Sequence, residues 1–540
     1  MTPNHFKFFS KYSGLWAAFL VLIYFLWDIG NLNALRQGTE SFYLQIGKEM
    51  YQTGNFFSPI VYGENHWSKP PLHFWLGFPF YFIFQTSALW TARAAIALLS
   101  VFGIFYIAGW VERHFKLERF ITIFFFAATV GFNKYSRIYM MELPLTILST
   151  AAVLSFFDSL YQDGKRQEYF SMILLAAAAL VKGPVAIVMS ALSIFIFLLW
   201  RRIKYQESAW PKFFRWIIVG TLLSSLWYFY MSWRFGWEFI NYFFLRENLG
   251  KFSTKSYPLS SLFQGIVFFS LPWFPLVLGK LKWQKNFAQT QFIFIAFVVF
   301  FTLWLIPSQR SHHYAMPSLP FFLILIIATA QALDPLILQK RIRNTALLLT
   351  TFLLFILPIG LYVISFPELN SSTINYIQYV VGLSIVLYFS FWIIFHPGPL
   401  AKVVPSFFII FAALWILILP RFYRPEIPES LAAKLRHYVI YSTMKRPYFL
   451  AEAIGKEITP ISFKKIYFSI KDANSIVILP ERLLERKRAQ IAGSTELLAQ
   501  WPVWKRRIKL NDLIFTIENK NFSALTYNLV AIKAGKKSFD

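Results

Sequence analysis

The sequence predicts a mainly α-helical, polytopic membrane protein followed by a small C-terminal α/β domain. The chain is 57% hydrophobic and only 15% charged, where soluble domains carry about 25% charged residues. Its apolar residues arrive in runs of roughly 17 to 25, the length that crosses a hydrocarbon core of about 30 Å. Beyond residue 420 that pattern stops, and helix-like stretches alternate with strand-like runs.

Hydropathy places about thirteen spans, at residues 14–31, 89–111, 119–134, 138–158, 169–181, 184–200, 213–234, 259–279, 290–306, 318–334, 344–365, 375–395 and 403–420. The stretch 72–84 is apolar but short, and reads as a re-entrant or interfacial helix. The apolar run 16–27 follows Lys7 and Lys11 without a small-residue cleavage site, so it is expected to be a retained first span.

The connections divide into two kinds. Short basic ones hold Arg113, Lys116 and Arg119; Lys165 and Arg166; Arg201, Arg202 and Lys204; Lys280, Lys282 and Lys285; Lys340, Arg341 and Arg343. They alternate along the spans with loops of the other kind, so the positive-inside rule puts them in the cytoplasm with the N-terminus. The far side then holds loops 32–71 and 235–258, the hairpin 308–317 and the tail. A transmembrane domain over 1–420 and a soluble far-side domain over 421–540 follow. Within the tail, helices are expected at 429–441, 448–456 and 480–489, and strands at 465–470, 475–479, 513–518 and 525–533.

The net charge of +27 belongs with membrane orientation rather than nucleic acid, because the basic residues sit beside spans instead of forming one soluble basic face. The absence of cysteine excludes disulfides, iron–sulfur clusters and thiolate zinc sites. Any metal has only His, Asp and Glu to hold it.

Several far-side residues are costly at a membrane boundary unless solvated, paired or useful. Glu40 opens an amphipathic stretch in which Phe42, Ile46 and Met50 recur at helical spacing, so its carboxylate sits at a helix N-terminus, as catalyst or as cap. Lys69 precedes Pro70-Pro71, which fix the backbone at headgroup level, where its ammonium meets a lipid phosphate or snorkels to an interfacial anion. Arg137 and Glu142 flank Tyr139 at the start of a span and suit either a site or a structural ion pair. In Lys182-Gly183-Pro184 the turn needs the glycine and proline but not the lysine. Two further segments are Arg246-Glu247-Asn248-Leu249-Gly250-Lys251 and Arg310-Ser311-His312-His313-Tyr314. Adjacent rings such as His312 and His313 rarely chelate one ion from an extended chain.

In order along residues 15–335, Gln37-Gly38-Thr39-Glu40, Lys48-Glu49-Met50, Lys69-Pro70-Pro71-Leu72, Arg137 with Glu142, Lys182-Gly183-Pro184, Glu247-Asn248 with Lys251-Phe252, Pro272-Trp273, and Arg310 with Tyr314 and Pro317 form a pattern. It resembles the polyprenyl-phosphate sugar-dependent transferases of the glycosyltransferase C superfamily. Within that superfamily it is similar to the group of lipid A aminoarabinose transferases and family-39-like mannosyltransferases. Ser68 and Asn248 stand where aminoarabinose transferases tend to carry an acidic residue and a histidine.

The resemblance implies a glycosyltransferase C fold in a bacterial inner membrane, with the far side and the domain 421–540 periplasmic, and a sugar moved from undecaprenyl phosphate to an envelope acceptor, lipid A first. On that reading Lys69, Lys182, Lys251 and Arg310 meet the charge that grows on the leaving phosphate. Glu40 removes a proton from a hydroxyl acceptor. Glu142 is the second catalytic carboxylate, and Tyr43, Arg137 and Tyr314 position substrate. No metal site is expected, since Ser68 and Asn248 are poor divalent-cation ligands. Partners are the lipid-linked donor, a lipid or glycolipid acceptor and membrane lipids. The rival readings are a protein O-glycosyltransferase of the same fold, a lipid-linked sugar flippase, for which inverted repeats are not evident, and a non-catalytic envelope assembly protein.

Overall fold

The computed structural model describes residues 3–34, 39–161, 164–205, 209–248, 257–278, 288–308, 310–365, 372–466, 474–487, 495–505, 509–519 and 521–534. The chain forms two compact units. The first comprises Met1–Ile29, Gly47–Leu354 and Ser384–Leu414; the second comprises Gly30–Ile46, Phe355–Leu383 and Trp415–Asp540.

Every apolar stretch read as a span holds a helix, and among the described residues eight helices are long and apolar enough to cross a membrane. The chain is therefore a multi-pass membrane protein. Three expected spans are shorter or broken. The first helix, Pro3–Leu26, ends just before Asp28, whose φ of 58° is left-handed. The stretch 119–134 splits into Arg119–Ala127 and Val130–Tyr135, because the Thr129 side chain accepts the Phe132 N–H at 3.3 Å and starts a new helix. The stretch 259–279 ends as an α-helix at Ser270, before Pro272, and resumes as a short 3-10 turn over Phe274–Val277. The short apolar stretch 72–84 forms two small helices, Leu72–Trp75 and Phe78–Phe84.

In the first unit, helix Glu142–Tyr161 is the most enclosed of the eight, with 94% of its apolar window buried. A Cβ on Gly103 would come 2.3 Å from the Ile147 side chain, so the absence of one lets helix Leu89–Phe115 pack directly on this central helix. The cytoplasm-facing ends expected from the basic loops carry ion pairs whose carboxylates are buried. Asp158 accepts from Arg113 at 2.8 Å and contacts His114 Nε2 at 2.7 Å, and Glu168 accepts two bonds of 2.7 Å from Arg215. A short hairpin, β1 (Ile60–Val61) with β2 (Glu64–Asn65), lies in the first long loop.

The second unit contains a five-stranded sheet of β3 (Val439–Ser442), β4 (Ile458–Pro460), β5 (Ser475–Pro480), β6 (Thr495–Trp504) and β7 (Thr526–Ala534), in the order β4-β3-β5-β7-β6. The β3, β4 and β5 strands are parallel, whereas β7 runs antiparallel to both neighbours. Ile440, Ile476, Ile478, Trp501, Leu529 and Ala531 form one core with helices Glu429–Leu435 and Tyr448–Ile454.

The α/β alternation expected of the tail is present, with differences in detail. The helix expected over 429–441 stops at Leu435, and its end becomes β3. The strand expected at 465–470 is a 3-10 turn over Phe463–Lys465, with 467–470 outside the described residues. The strand expected at 513–518 is instead helix Leu510–Asn519: Asp512, its third residue, reaches back to accept the Lys509 N–H at 2.9 Å, the acidic half of a capping box. Strand β6 has no counterpart in the sequence reading, because Pro502 interrupts its run; proline is tolerated there because β6 is at the sheet edge.

Candidate active site

Two ion pairs of the first unit bring the expected functional residues together. The first joins helix ends. Glu142 begins the central helix and Lys182 ends helix Lys165–Lys182, with Lys182 Nζ 3.0 Å from Glu142 Oε1. Both side chains are almost wholly buried, 3% and 9% exposed, so each charge depends on the other for its stability. The lysine is held at this place by Gly183, which has φ 93° and ψ −165°, a conformation essentially confined to glycine.

A third element closes on the pair. The 3-10 turn His312–Ser318 puts His313 Nε2 3.6 Å from Glu142 Oε1, while His313 Nδ1 bonds Ser311 Oγ at 2.8 Å. Tyr314 stacks on Trp304 with ring centres 4.5 Å apart, and Lys182 Nζ lies 4.6 Å and 5.2 Å from the two ring centres. The ammonium thus faces a carboxylate on one side and two π faces on the other. Glu142 Oε2 is buried and has no hydrogen-bond partner among the described residues. A buried acceptor left in that state is destabilising, which marks it as a place where an O–H or N–H donor belongs.

The second pair lies at the Ser68-Lys69-Pro70-Pro71 segment. Trp67 is buried in an aromatic cluster with Trp227, Phe239 and Phe243 from helix Trp210–Ile240 and the π-helical turn Asn241–Asn248 that continues it. Trp67 Nε1 donates to Ser58 Oγ at 2.9 Å, and Trp227 Nε1 donates to the Phe57 carbonyl at 2.9 Å. Upstream, the Glu49 carboxylate accepts the Tyr62 and Gly63 N–H groups at 2.8 and 3.1 Å and pins the hairpin turn. The loop is therefore fastened at both ends. Lys69 Nζ donates to the Ser68 carbonyl at 2.7 Å and forms an ion pair with Glu247 of the π-helical turn. Beside it, His66 bridges Ser68 Oγ and the Tyr242 hydroxyl. Burial pushes the Tyr242 phenol above its ordinary pKa, with Glu247 adding to the shift.

Tyr314 lies in the electrostatic field of both Glu142 and Glu247, and His73, four residues after Lys69, lies in that of Glu142 and Lys182. Glu142, Lys182, His313 and Tyr314 thus form one cluster in the first unit, and Tyr314 also senses the Glu247 carboxylate that pairs with Lys69.

The other expected site residues make contacts of their own. A structural Arg137–Glu142 ion pair does not form, because Lys182 takes the carboxylate. Arg137 instead donates to the Tyr24 and Trp27 carbonyls at 2.6 and 3.1 Å and lies over the Tyr24 ring, satisfying the end of the first helix. Arg310 donates to the Leu305 and Tyr257 carbonyls at 2.9 and 3.1 Å and pairs with no carboxylate among the described residues. Glu40 and Tyr43 are buried in the second unit, with Glu40 in the first turn of helix Glu40–Thr53. Lys251 and the motif residues Gln37, Gly38 and Phe252 lie outside the described residues, as does Gln309 of the hairpin. Among the described residues no group of three or more His, Asp and Glu side chains converges as a metal site would. Trp304 carries no signal in the sequence; His313 reads there only as a metal ligand, and Glu247 only as part of a motif.

Residues 68–230 match the family model described as dolichyl-phosphate-mannose-protein mannosyltransferase. The chain is 28% identical over 374 residues to an uncharacterised protein of Aquifex aeolicus (strain VF5), covering 67% of this chain and 81% of that one. It is 26% identical over 302 residues to the undecaprenyl phosphate-alpha-4-amino-4-deoxy-L-arabinose arabinosyl transferase of Yersinia pestis (strain Pestoides F). That match covers 52% of each, so it spans about half the length of the transferase. The crystal structure of ArnT from Cupriavidus metallidurans bound to undecaprenyl phosphate superposes over 98% of both chains, with a TM-score of 0.71 and 16% identity. The fold is thus like that of ArnT, and the chain is similar to the aminoarabinose transferases and, more broadly, to polyprenyl-phosphate-sugar-dependent glycosyltransferases.

Proposed function

We propose that this chain moves one sugar from an undecaprenyl-phosphate carrier to an envelope acceptor, lipid A first, at the periplasmic face of the bacterial inner membrane. The observation that carries the reading is the buried Glu142–Lys182 pair with its second carboxylate oxygen unpartnered among the described residues. Cations meet a phosphate there, and Glu142 Oε2 accepts a hydroxyl hydrogen from sugar or acceptor.

In the transfer, the bond between the anomeric carbon and the phosphate oxygen breaks and a new bond to the acceptor oxygen forms. The electron pair goes to the departing polyprenyl phosphate, where Lys69, Lys182, Lys251 and Arg310 stabilise it in a partly dehydrated site. Because Lys69 is paired with Glu247, the donor phosphate takes over a charge that a protein carboxylate holds beforehand. A hydroxyl acceptor gives its proton to Glu40, whereas an acceptor phosphate is already ionised and needs only positioning. Tyr43, Arg137 and Tyr314 orient the substrates, Arg137 by fixing the end of the first helix. The reading requires no metal ion.

The match of 68–230 to a protein mannosyltransferase model favours, as second reading, a protein side chain as acceptor. Mass spectrometry of envelope lipids and proteins from cells with and without the chain separates the two. A sugar that disappears from the lipid A fraction supports the first reading, and one that disappears from proteins supports the second. Unchanged fractions together with accumulation of the lipid-linked sugar on the cytoplasmic side would point to a flippase.

A further inference from the structure

The C-terminal unit carries a helix that exposes an apolar stripe. In helix Leu510–Asn519 the buried position is taken by Thr516, 1% exposed, and Asp512 is tied to the Lys509 N–H at 2.9 Å and lies 3.5 Å from Lys505 Nζ, while Asn511, Glu518 and Asn519 are exposed. Leu513, Ile514 and Phe515 face outward, 42%, 44% and 46% exposed, and Ile517 shares the stripe with Leu513 and Ile514 at helical spacing. A helix on the surface of a soluble domain turns such an apolar stripe toward the core.

Packing within the same unit indicates what covers it. Helix Leu510–Asn519 is followed at once by the 3-10 turn Phe522–Ala524, and the buried Phe522 and Leu525 pack against the half-buried Trp504 and Val363. Val363 lies in the last turn of Pro335–Ile364, the least enclosed of the eight membrane-crossing helices, with 22% of its window buried. Nearby, the Tyr376 hydroxyl donates to the Ile364 carbonyl at 3.3 Å, and Arg421 donates to Asn375 at 2.5 Å, so the ends of three spans meet in this unit. Those ends mark the bilayer surface, and the helix is joined to it through the turn that follows it by the Phe522–Val363 contact.

Charge fits the same surface. Lys505 and the exposed Lys509 flank the helix start, and the sequence adds Arg506 and Arg507 between them, against Asp512 and Glu518. Arg506 and Arg507 lie outside the described residues and enter only through their charge. Apolar side chains facing out beside a basic cluster are the pattern of a helix lying in a headgroup region that contains anionic phosphates.

We infer that helix Leu510–Asn519 is an interfacial anchor that inserts Leu513 and Ile514 into an anionic lipid surface and so fixes the C-terminal α/β unit to the leaflet it faces. The inference is independent of the sugar-transfer reading. The chain has no cysteine, so single nitroxide labels at Leu513→Cys and, on the other side of the helix, Asn519→Cys report local immersion without background. The full chain is reconstituted as single copies in nanodiscs of phosphatidylcholine with or without phosphatidylglycerol.

The expected result is that the Leu513 label loses accessibility to a water-soluble nickel relaxant and gains it to oxygen, more so with phosphatidylglycerol, while the Asn519 label stays aqueous. Lys505→Gln with Lys509→Gln should cut the inserted population in anionic discs by roughly an order of magnitude. An aqueous Leu513 label in both lipids overturns the anchor and assigns the stripe to a protein partner. Insertion unaffected by the lysine changes overturns the anionic-lipid preference.

Discussion

Lys182 and Glu142, forty residues apart in sequence, meet at 3.0 Å where one helix ends and the central helix of the bundle begins. The contact explains why a lysine stands in a turn that needs only glycine and proline. It also makes the pair the structural keystone and the proposed reaction centre at once. Removing one partner leaves the other as an uncompensated buried charge.

Glu142→Gln and Lys182→Met should therefore each abolish sugar transfer and each cost about 3–5 kcal/mol of stability. Combining them should recover most of the stability and none of the activity. Thermal unfolding in detergent, alongside a transfer assay, checks both halves; activity retained in either single variant would remove the proposed role.

Much of this was legible in the sequence. The apolar runs gave the helices because a lipid-facing helix must be apolar over its full length, and Glu142, Lys182, Lys69 and Tyr314 stood out as polar groups at its boundaries. Their pairing was not legible. Arg137 lies only five residues from Glu142, and proximity in sequence favoured that pair, whereas the helix packing brings in Lys182. Trp304 looked like any membrane aromatic. In the tail, Leu513, Ile514, Phe515 and Ile517 suit strand and helix alike in so short a run; the capping contact of Asp512 decides it.

Gly183→Ala should impair transfer without touching the ion pair chemically. At φ 93° and ψ −165° an added Cβ is strained by about 1–3 kcal/mol, and it would also meet the Phe243 ring at 3.4 Å. Relief of that strain moves Lys182. The expected outcome is a kcat reduced at least tenfold in a chain that still inserts and folds, measured by steady-state transfer and thermal unfolding.

Glu247→Gln separates pairing from binding at Lys69. If the donor phosphate takes over the lysine from Glu247, neutralising the carboxylate should lower the donor KM severalfold, while Lys69→Ala should raise it. Titration of purified protein with undecaprenyl phosphate reads this directly. Equal donor affinity in all three proteins would place the phosphate elsewhere.

Asp158→Asn provides the contrast. Asp158 sits sixteen residues from Glu142 on the same helix, roughly 24 Å along its axis, and is buried between Arg113 and His114. Its substitution should lower stability by about 3–5 kcal/mol with donor affinity unchanged at a temperature where the variant is folded. A specific loss of donor binding would extend the site to the opposite membrane face.

The most direct test of the central claim follows a radiolabelled sugar on undecaprenyl phosphate, supplied with lipid A to the purified chain in nanodiscs. The account predicts that label passes to the acceptor as undecaprenyl phosphate is released in equal amount, and that Glu142→Gln stops the transfer while still binding the donor. Label that moves undiminished in Glu142→Gln, or a wild-type chain that leaves the donor intact with every envelope acceptor offered, would contradict it.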